Sequence, residues 1–209
     1  MDKIELHQVT KKYRKDSIFR NLDFQFLKNK SYVIQGPNGS GKSTLLKLCA
    51  SYITPTAGEV VYYDGDENLP LDAVHKYITI AAPYMELPEE FTPVEILDFH
   101  LGFKSFYNSM SADDFLELIN LSDAANKPLN NFSSGMKQRL KLGLAIVSQS
   151  DLLLLDEPTI NLDSQGVELY KSLIKNYGND RIIIVCSNNI EDEYAFCDVT
   201  LNVMDYKKR

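Results

Sequence analysis

Hydrophobic and polar positions change their rhythm twice along this chain. Short β-like runs come first, at Ile4–Thr10, Leu22–Leu27, Ser31–Gln35 and Gly58–Tyr63, punctuated by Lys28-Asn29-Lys30 and by Thr54-Pro55-Thr56-Ala57-Gly58. From about Pro83 to Asn131 the pattern becomes helical. Pro93 opens the segment Pro93–His100, and Ser111-Ala112-Asp113-Asp114 resembles a capping box ahead of Phe115–Ile119. A later stripe of Met136, Leu140, Leu144 and Val147 marks one face of another helix. The chain then returns to strands. Asp151–Asp156 and Arg181–Cys186 are continuous apolar runs bounded by polar turns, the pattern of parallel strands covered on both faces. The middle stretch therefore reads as a helical insertion in a sheet-centred chain.

Between the strand Ser31–Gln35 and a helical run Ser43–Ser51 lies Gly36-Pro37-Asn38-Gly39-Ser40-Gly41-Lys42-Ser43-Thr44. It fits G-x-x-x-x-G-K-[ST], and the strand–loop–helix context is the one the motif needs. Its glycines permit positive φ and close backbone approach, so that successive N–H groups converge on an anion at a helix N-terminus. Lys42 adds a charge for the β- and γ-phosphates, and Ser43 a hydroxyl for a bridging Mg²⁺. The bland alternative is an ordinary glycine-rich turn.

Composition narrows the setting. The chain has 209 residues, 44% hydrophobic and 24% charged, enough for one sizeable core or a core with a subdomain. Its apolar runs, such as Leu152–Leu155, fall far short of the ~20 residues of a membrane span. The N-terminus lacks a charged-then-apolar leader, so a cytosolic protein is expected. The net charge of −7 argues against nucleic acid as a main partner. The basic cluster Lys11-Lys12-Tyr13-Arg14-Lys15 is either a solvated turn between strands or an aid in steering an anionic nucleotide, and the tail Tyr206–Arg209 reads as solvated. Cys49, Cys186 and Cys197 fit no zinc spacing and read as small buried residues. His7, His75 and His100 share no motif and read as surface or packing residues.

Two further elements carry chemistry. The run Leu152–Leu155 delivers Asp156 and Glu157, followed by Pro158, at the carboxyl end of a buried strand, where open α/β sheets place ligands. Asp156 would orient the Mg²⁺ and its water, and Glu157 would polarise the water attacking the γ-phosphate. The alternative is a strand that merely stops at charged residues. Upstream, Asn131-Phe132-Ser133-Ser134-Gly135-Met136-Lys137-Gln138-Arg139 places two serines and a glycine at a helix start, a second anion-binding terminus. Because Gly36–Thr44 already cradles one nucleotide, its use would be the γ-phosphate held by a partner subunit.

Taken together, these residues resemble the nucleotide-binding domains of ABC ATPases along essentially the full chain. Phe132-Ser133-Ser134-Gly135-Met136 stands where that family carries Leu-Ser-Gly-Gly-Gln, about twenty residues before the acidic strand. Tyr13 resembles the aromatic that stacks on adenine, with an exposed tyrosine as the alternative. Asn161-Leu162-Asp163 resembles the loop whose aspartate contacts the opposite subunit, with a helix N-cap as the alternative or a coexisting role. Two positions depart. A glutamine expected where sheet meets helical subdomain falls near Ala82-Pro83-Tyr84, where neither alanine nor proline offers a side-chain oxygen. A histidine expected after the strand Arg181–Val185 is Asn188, which donates a hydrogen bond but takes no charge.

The resemblance implies an α/β fold: a P-loop NTPase core with a mostly parallel central sheet, an N-terminal antiparallel β subdomain and an inserted helical subdomain. One domain would span 1–209, with core at about 1–82 and 140–209 and helical part at about 83–139. It implies ATP and Mg²⁺ as ligands, with Ser43 and Asp156 on the metal and Lys42, Glu157 and Asn188 at the reacting phosphate. Ser133, Ser134, Gly135 and Asp163 would serve the partner's γ-phosphate in an ATP-dependent homodimer. The expected task is hydrolysis that drives an ABC transporter from the inner face of the cell membrane, through a separate permease and slowed by the two altered positions. The competing task is a soluble ABC switch or a weakly hydrolysing regulatory module.

Overall fold

Alternating buried and exposed positions shape the N-terminal strands. In the computed structural model, which describes residues 1–14 and 16–207, β1 (Lys3–Tyr13), β2 (Asp16–Leu27), β4 (Ala57–Asp64) and β5 (Glu67–Asn68) form a sheet in the order β2-β1-β4-β5, and β1 pairs antiparallel with both β2 and β4. The continuous apolar runs build a second sheet. It holds β3 (Ser31–Gln35), β6 (Ile78–Ala81), β7 (Leu152–Asp156), β8 (Ile182–Ser187) and β9 (Val199–Asn202), ordered β6-β7-β8-β3-β9. The β3–β8, β7–β8 and β3–β9 pairs are parallel.

Packing follows from these faces. Phe26, Tyr32, Leu45, Tyr62, Leu154 and Ile184 belong to one buried cluster that joins both sheets to helix α1 (Lys42–Cys49). Full burial of each such side chain is worth about 1.5–3 kcal/mol. This cluster lies within one compact unit, Met1–Ile80 with Ser150–Glu157 and Asp180–Arg209, which also holds the short α6 (Glu191–Tyr194).

The second unit, Ala81–Gln149 with Pro158–Asn179, is helical. Its main helices are α2 (Pro93–Leu101), α3 (Ala112–Leu118), α4 (Ser134–Val147) and α5 (Ser164–Tyr177), with α4 packed on α5. A stack of rings anchors its interior: His100 on Phe106 at 5.7 Å and Phe106 on Phe115 at 4.6 Å. The Ser148 hydroxyl spends its proton on the Leu144 carbonyl, so His100 Nε2 must be the donor in its 2.6 Å bond to Ser148 Oγ. Burial, and then the nearby Lys104 charge, hold the His100 pKa below its ordinary value.

Several local readings change. The complete capping box is at Thr92 and Glu95, where side chain and backbone bond reciprocally, one residue before the proline that marks the helix start. At Ser111 the hydroxyl accepts from Asp114 N–H, but the Asp114 carboxylate takes the Ser111 hydroxyl instead of its backbone. Lys11–Tyr13 are not a turn, because pairing with β2 carries β1 to Tyr13; Arg14 is in a turn, and Lys15 lies outside the described residues, as do Lys208 and Arg209 of the tail. Cys49 and Cys186 are buried as expected and Cys197 is only partly so.

Candidate functional site

Parallel register sets the site of the first unit. Gln35 pairs with Ser187, and Asp156 with Cys186, so the carboxyl ends of β3, β7 and β8 share one edge of the sheet. Each strand is followed there by a chemical group: Gly36 after β3, Glu157 after β7 and Asn188 after β8. Open α/β sheets bind ligands outside this edge.

The loop after β3 is shaped by its glycines. Gly36, Gly39 and Gly41 have φ of 153°, 73° and 111°. At Gly41 a Cβ would come within 2.3 Å of Ile18 Cγ2, so packing against β2 demands glycine as firmly as the dihedral does. Gly41 caps α1 without a side-chain bond, and the first turn of α1 carries no acid. Its orphan N–H groups and the positive end of its dipole are therefore available to an anion. Ser40, 1% exposed, has a buried Oγ with no hydrogen-bond partner. A buried hydroxyl left without a partner costs stability, and a phosphate oxygen is the acceptor that would satisfy it. The residues present thus fit a nucleotide phosphate. Pro37, Asn38 and Thr44 complete the loop, with Pro37 O accepting from Ser40 N at 3.0 Å.

Lys42, only 5% exposed, donates to Gly36 O at 2.8 Å, Pro37 O at 3.4 Å and Asn188 Oδ1 at 2.5 Å. Asn188 in turn donates from Nδ2 to Glu157 Oε1. Lysine only donates and a carboxylate only accepts, so the orientation of this amide is forced. Glu157 has a left-handed backbone, φ 48°, pinned by its N–H to Cys186 O at 3.0 Å. Asp156 is 3% exposed; burial raises its pKa, opposed by the hydrogen bond from Ser43.

Among the described residues no group of three or more His, Cys, Asp and Glu is placed to hold a metal. The Ser43–Asp156 pair instead offers one hydroxyl and one carboxylate, which suits Mg²⁺, an ion that draws its remaining ligands from phosphates and water. Tyr13 ends β1, 47% exposed, with Lys11 Nζ 5.0 Å above its ring.

The second unit brings Ser133, Ser134, Gly135 and Asp163 around one open pocket of about 260 Å³, shared with Met136 and Arg139. Two of these side chains already serve helices. Ser133 Oγ accepts from Met136 N–H at 3.2 Å as the cap of α4, and Asp163 Oδ1 from Gly166 N–H at 2.8 Å as the cap of α5. Gly135 lets the Asn161 carbonyl approach to 3.1 Å of where a Cβ would stand.

Sequence reasoning overlooked Gln138. It is 4% exposed and donates from Nε2 to Pro158 O at 2.8 Å, tying α4 to the segment that leads to Asp163. The available signal was an amide one turn before Leu142, on the face that continues with Ala145 and Ile146. At the other expected position Ala82 is buried and its carbonyl accepts from Met85 N–H, so the turn Ala82–Tyr84 presents no carboxamide.

A glycine-rich loop between a buried parallel strand and a helix, with two carboxylates ending a strand of the same sheet, defines a P-loop NTPase fold. A family model described as ABC transporter matches residues 19–160, well over half of the chain, and the protein belongs to that family.

Two relatives and one solved structure give the scale of the likeness. The chain is 33% identical over 184 residues to YcbN of Bacillus subtilis (strain 168), an uncharacterized ABC transporter ATP-binding protein, covering 86% of this chain and 60% of that one. It is 31% identical over 202 residues to YybJ of the same organism, similarly described, covering 96% and 92%. A dimeric ATP-binding cassette in a post-hydrolysis state, bound to ADP and Pi, matches with a TM-score of 0.79 at 25% identity, covering 95% of this chain and 93% of that one. The chain thus spans nearly all of one relative and about three fifths of the other. Among the described residues no helix is long and apolar enough to cross a membrane.

Proposed function

We propose that this chain binds ATP with Mg²⁺ and hydrolyses it as the ATPase subunit of an ABC transporter. The observation that carries the reading is the shared sheet edge where Lys42, Ser43, Asp156, Glu157 and Asn188 converge around the Gly36–Thr44 loop. Gly36, Gly39, Ser40 and Gly41 wrap N–H groups and a hydroxyl around the phosphates, Thr44 continues the helix N-terminus behind them, and Lys42 contributes charge. Pro37 and Asn38 form the outer bend of the loop, and Tyr13 stacks on the base. Ser43 and Asp156 hold Mg²⁺, which when bound neutralises charge on the β- and γ-phosphate oxygens.

Glu157 accepts a hydrogen bond from the attacking water and orients it toward the γ-phosphate. Asn188 turns its amide donor to the same phosphate and, lacking a titratable ring, supports slower turnover than a histidine would. The absence of a carboxamide at Ala82–Tyr84 lowers the rate further and loosens coupling.

Ser133, Ser134, Gly135 and Asp163 belong to the partner's site. The active form is therefore a head-to-tail homodimer closed by ATP, whose chains each supply one half of two sites. The single domain comprises the sheet unit, Met1–Ile80 with Ser150–Glu157 and Asp180–Arg209, and the helical unit, Ala81–Gln149 with Pro158–Asn179, which takes in α4 and α5 beyond the expected 83–139. A separate transmembrane permease holds the dimer at the cytoplasmic face of the cell membrane and determines what is moved. The likeness to ATP-binding proteins of transporters supports this assignment.

Glu157→Gln is the decisive variant. It should keep ATP affinity, lose turnover by about 10²–10⁴-fold, and sediment as an ATP-dependent dimer. Unchanged turnover, or a strictly monomeric species at high concentration with ATP, overturns the reading.

A further inference from the structure

The hydrogen bonds of Asn188 give it a task apart from contact with phosphate. Its side chain joins two groups that the hydrolysis reading assigns to opposite ends of the reaction: Lys42, which meets the phosphates, and Glu157, which meets the water. All three ammonium protons of Lys42 have protein acceptors, Gly36 O, Pro37 O and Asn188 Oδ1. A phosphate oxygen arriving at Lys42 must replace one of them. The two carbonyls belong to the loop backbone itself, whereas the amide sits on a side chain one residue past the end of β8, so it can yield by a change of rotamer without moving the loop backbone. It is also the nearest of the three acceptors to Nζ.

We infer that Asn188 is a latch displaced by nucleotide: its amide closes the phosphate cradle through Lys42 and holds Glu157 in reserve, and phosphate binding releases both together. This rests on reading Gly36–Thr44 as the phosphate cradle. The coupling follows from the geometry of a carboxamide. Its oxygen and nitrogen share one rigid plane, so turning the oxygen away from Lys42 necessarily swings the nitrogen away from Glu157. An incoming phosphate repels the amide oxygen and attracts its N–H₂, which drives the rotation in that direction. Glu157 therefore loses its Asn188 donor, and its Oε1 is released from the position that bond holds, once phosphate is seated. A side chain that bonded Lys42 alone would not transmit occupancy to the base.

Mg·ADP separates this latch from a simple γ-phosphate contact, because ADP has no γ-phosphate with which Asn188 could compensate for the lost bond. In calorimetric titration of the full chain, Asn188→Ala should bind Mg·ADP three- to tenfold more tightly than the parent. Unchanged or weaker ADP binding overturns the latch. A merely structural defect would weaken binding, so the sign of the change is diagnostic.

The second readout needs no turnover. In nucleotide-free, ¹⁵N-labelled protein, the Asn188 side-chain N–H₂ resonances, identified by their loss in Asn188→Ala, should lie away from free-amide positions. They should shift in Glu157→Ala and again on adding Mg·ADP. Free-amide resonances that ignore Glu157→Ala overturn the proposal. A chain that binds neither ADP nor ATP overturns the nucleotide reading, and the nucleotide-free spectrum then decides the Asn188–Glu157 bond by itself.

Discussion

The two units spend their polar groups in opposite ways. In the sheet unit the groups with chemical promise bond to one another: Lys42 to Asn188, Asn188 to Glu157, Ser43 to Asp156. In the helical unit the corresponding groups bond to backbone, with Ser133 capping α4, Asp163 capping α5 and Gln138 holding the Pro158 carbonyl. The first arrangement is mutually restrained, and on the proposed reading a ligand changes it by exchanging partners. The second is structural at rest and offers a ligand only what capping leaves over, chiefly exposed N–H groups and a lone pair. A substitution in the sheet unit should therefore cost function first, and one in the helical unit stability first.

The sharpest break with that contrast would come at Lys42. Lys42→Ala removes two or more charge-assisted bonds to phosphate at about 1.5–3 kcal/mol each, and ATP affinity should fall by about a hundredfold or more in a titration. A loss below tenfold would mean that the loop's N–H groups, not the ammonium, dominate binding. Next comes Gln138→Leu, which strands the buried Pro158 carbonyl and should destabilise the chain by about 1–3 kcal/mol in denaturant unfolding while leaving ADP affinity within twofold. If ADP affinity falls in parallel with stability, the contrast between the units fails.

Ser133→Asp probes whether capping and phosphate recognition coexist. Aspartate caps a helix about as well as serine, so unfolding should change by less than about 0.5 kcal/mol, whereas its charge opposes a facing γ-phosphate and should weaken ATP-driven dimerisation at least tenfold. Full dimerisation with normal stability would leave Ser133 a cap and nothing more. The smallest effect concerns pH. The folded pKa of His100 is depressed, so the unfolded chain takes up its proton first, and the stability His100 contributes is complete above about pH 6.5. It is lost as pH falls below that value toward the folded pKa. His100→Gln should flatten the unfolding midpoint between pH 7 and 5, and an unchanged slope would assign that dependence to other groups.

Much of this was legible in the sequence, for identifiable reasons. Continuous apolar runs flanked by turns located β3, β7 and β8, and the glycine spacing located the loop, because both signals are local. The four-residue strands β6 and β9 escaped because a run that short has no measurable period. The first half of β2 escaped as well. Its residues Ser17–Asn21 are largely polar, and Asn21 sits at φ 49°, a break that tertiary pairing with β1 tolerates but no propensity predicts.

At the site, the identities of Lys42, Asp156 and Glu157 were readable, and so was the possible cap at Asp163. The bridge through Asn188 was not, since it depends on parallel register between residues 31 or 146 positions apart in the chain. Position alone suggested a weakened histidine substitute, whereas in the fold the amide bonds Lys42 at one end and Glu157 at the other. Gln138 shows the same limit, for its partner Pro158 lies twenty residues away across a strand.

The left-handed backbone at Glu157 has a consequence for anyone improving this protein by heat selection. A non-glycine residue in that conformation carries about 1–2 kcal/mol of strain, and glycine there would relieve it. Glu157→Gly should thus rank among the more thermostable variants of a library while being inert. A screen that reads melting temperature alone would enrich for chains that have discarded the proposed base, and must carry a phosphate-release assay alongside it.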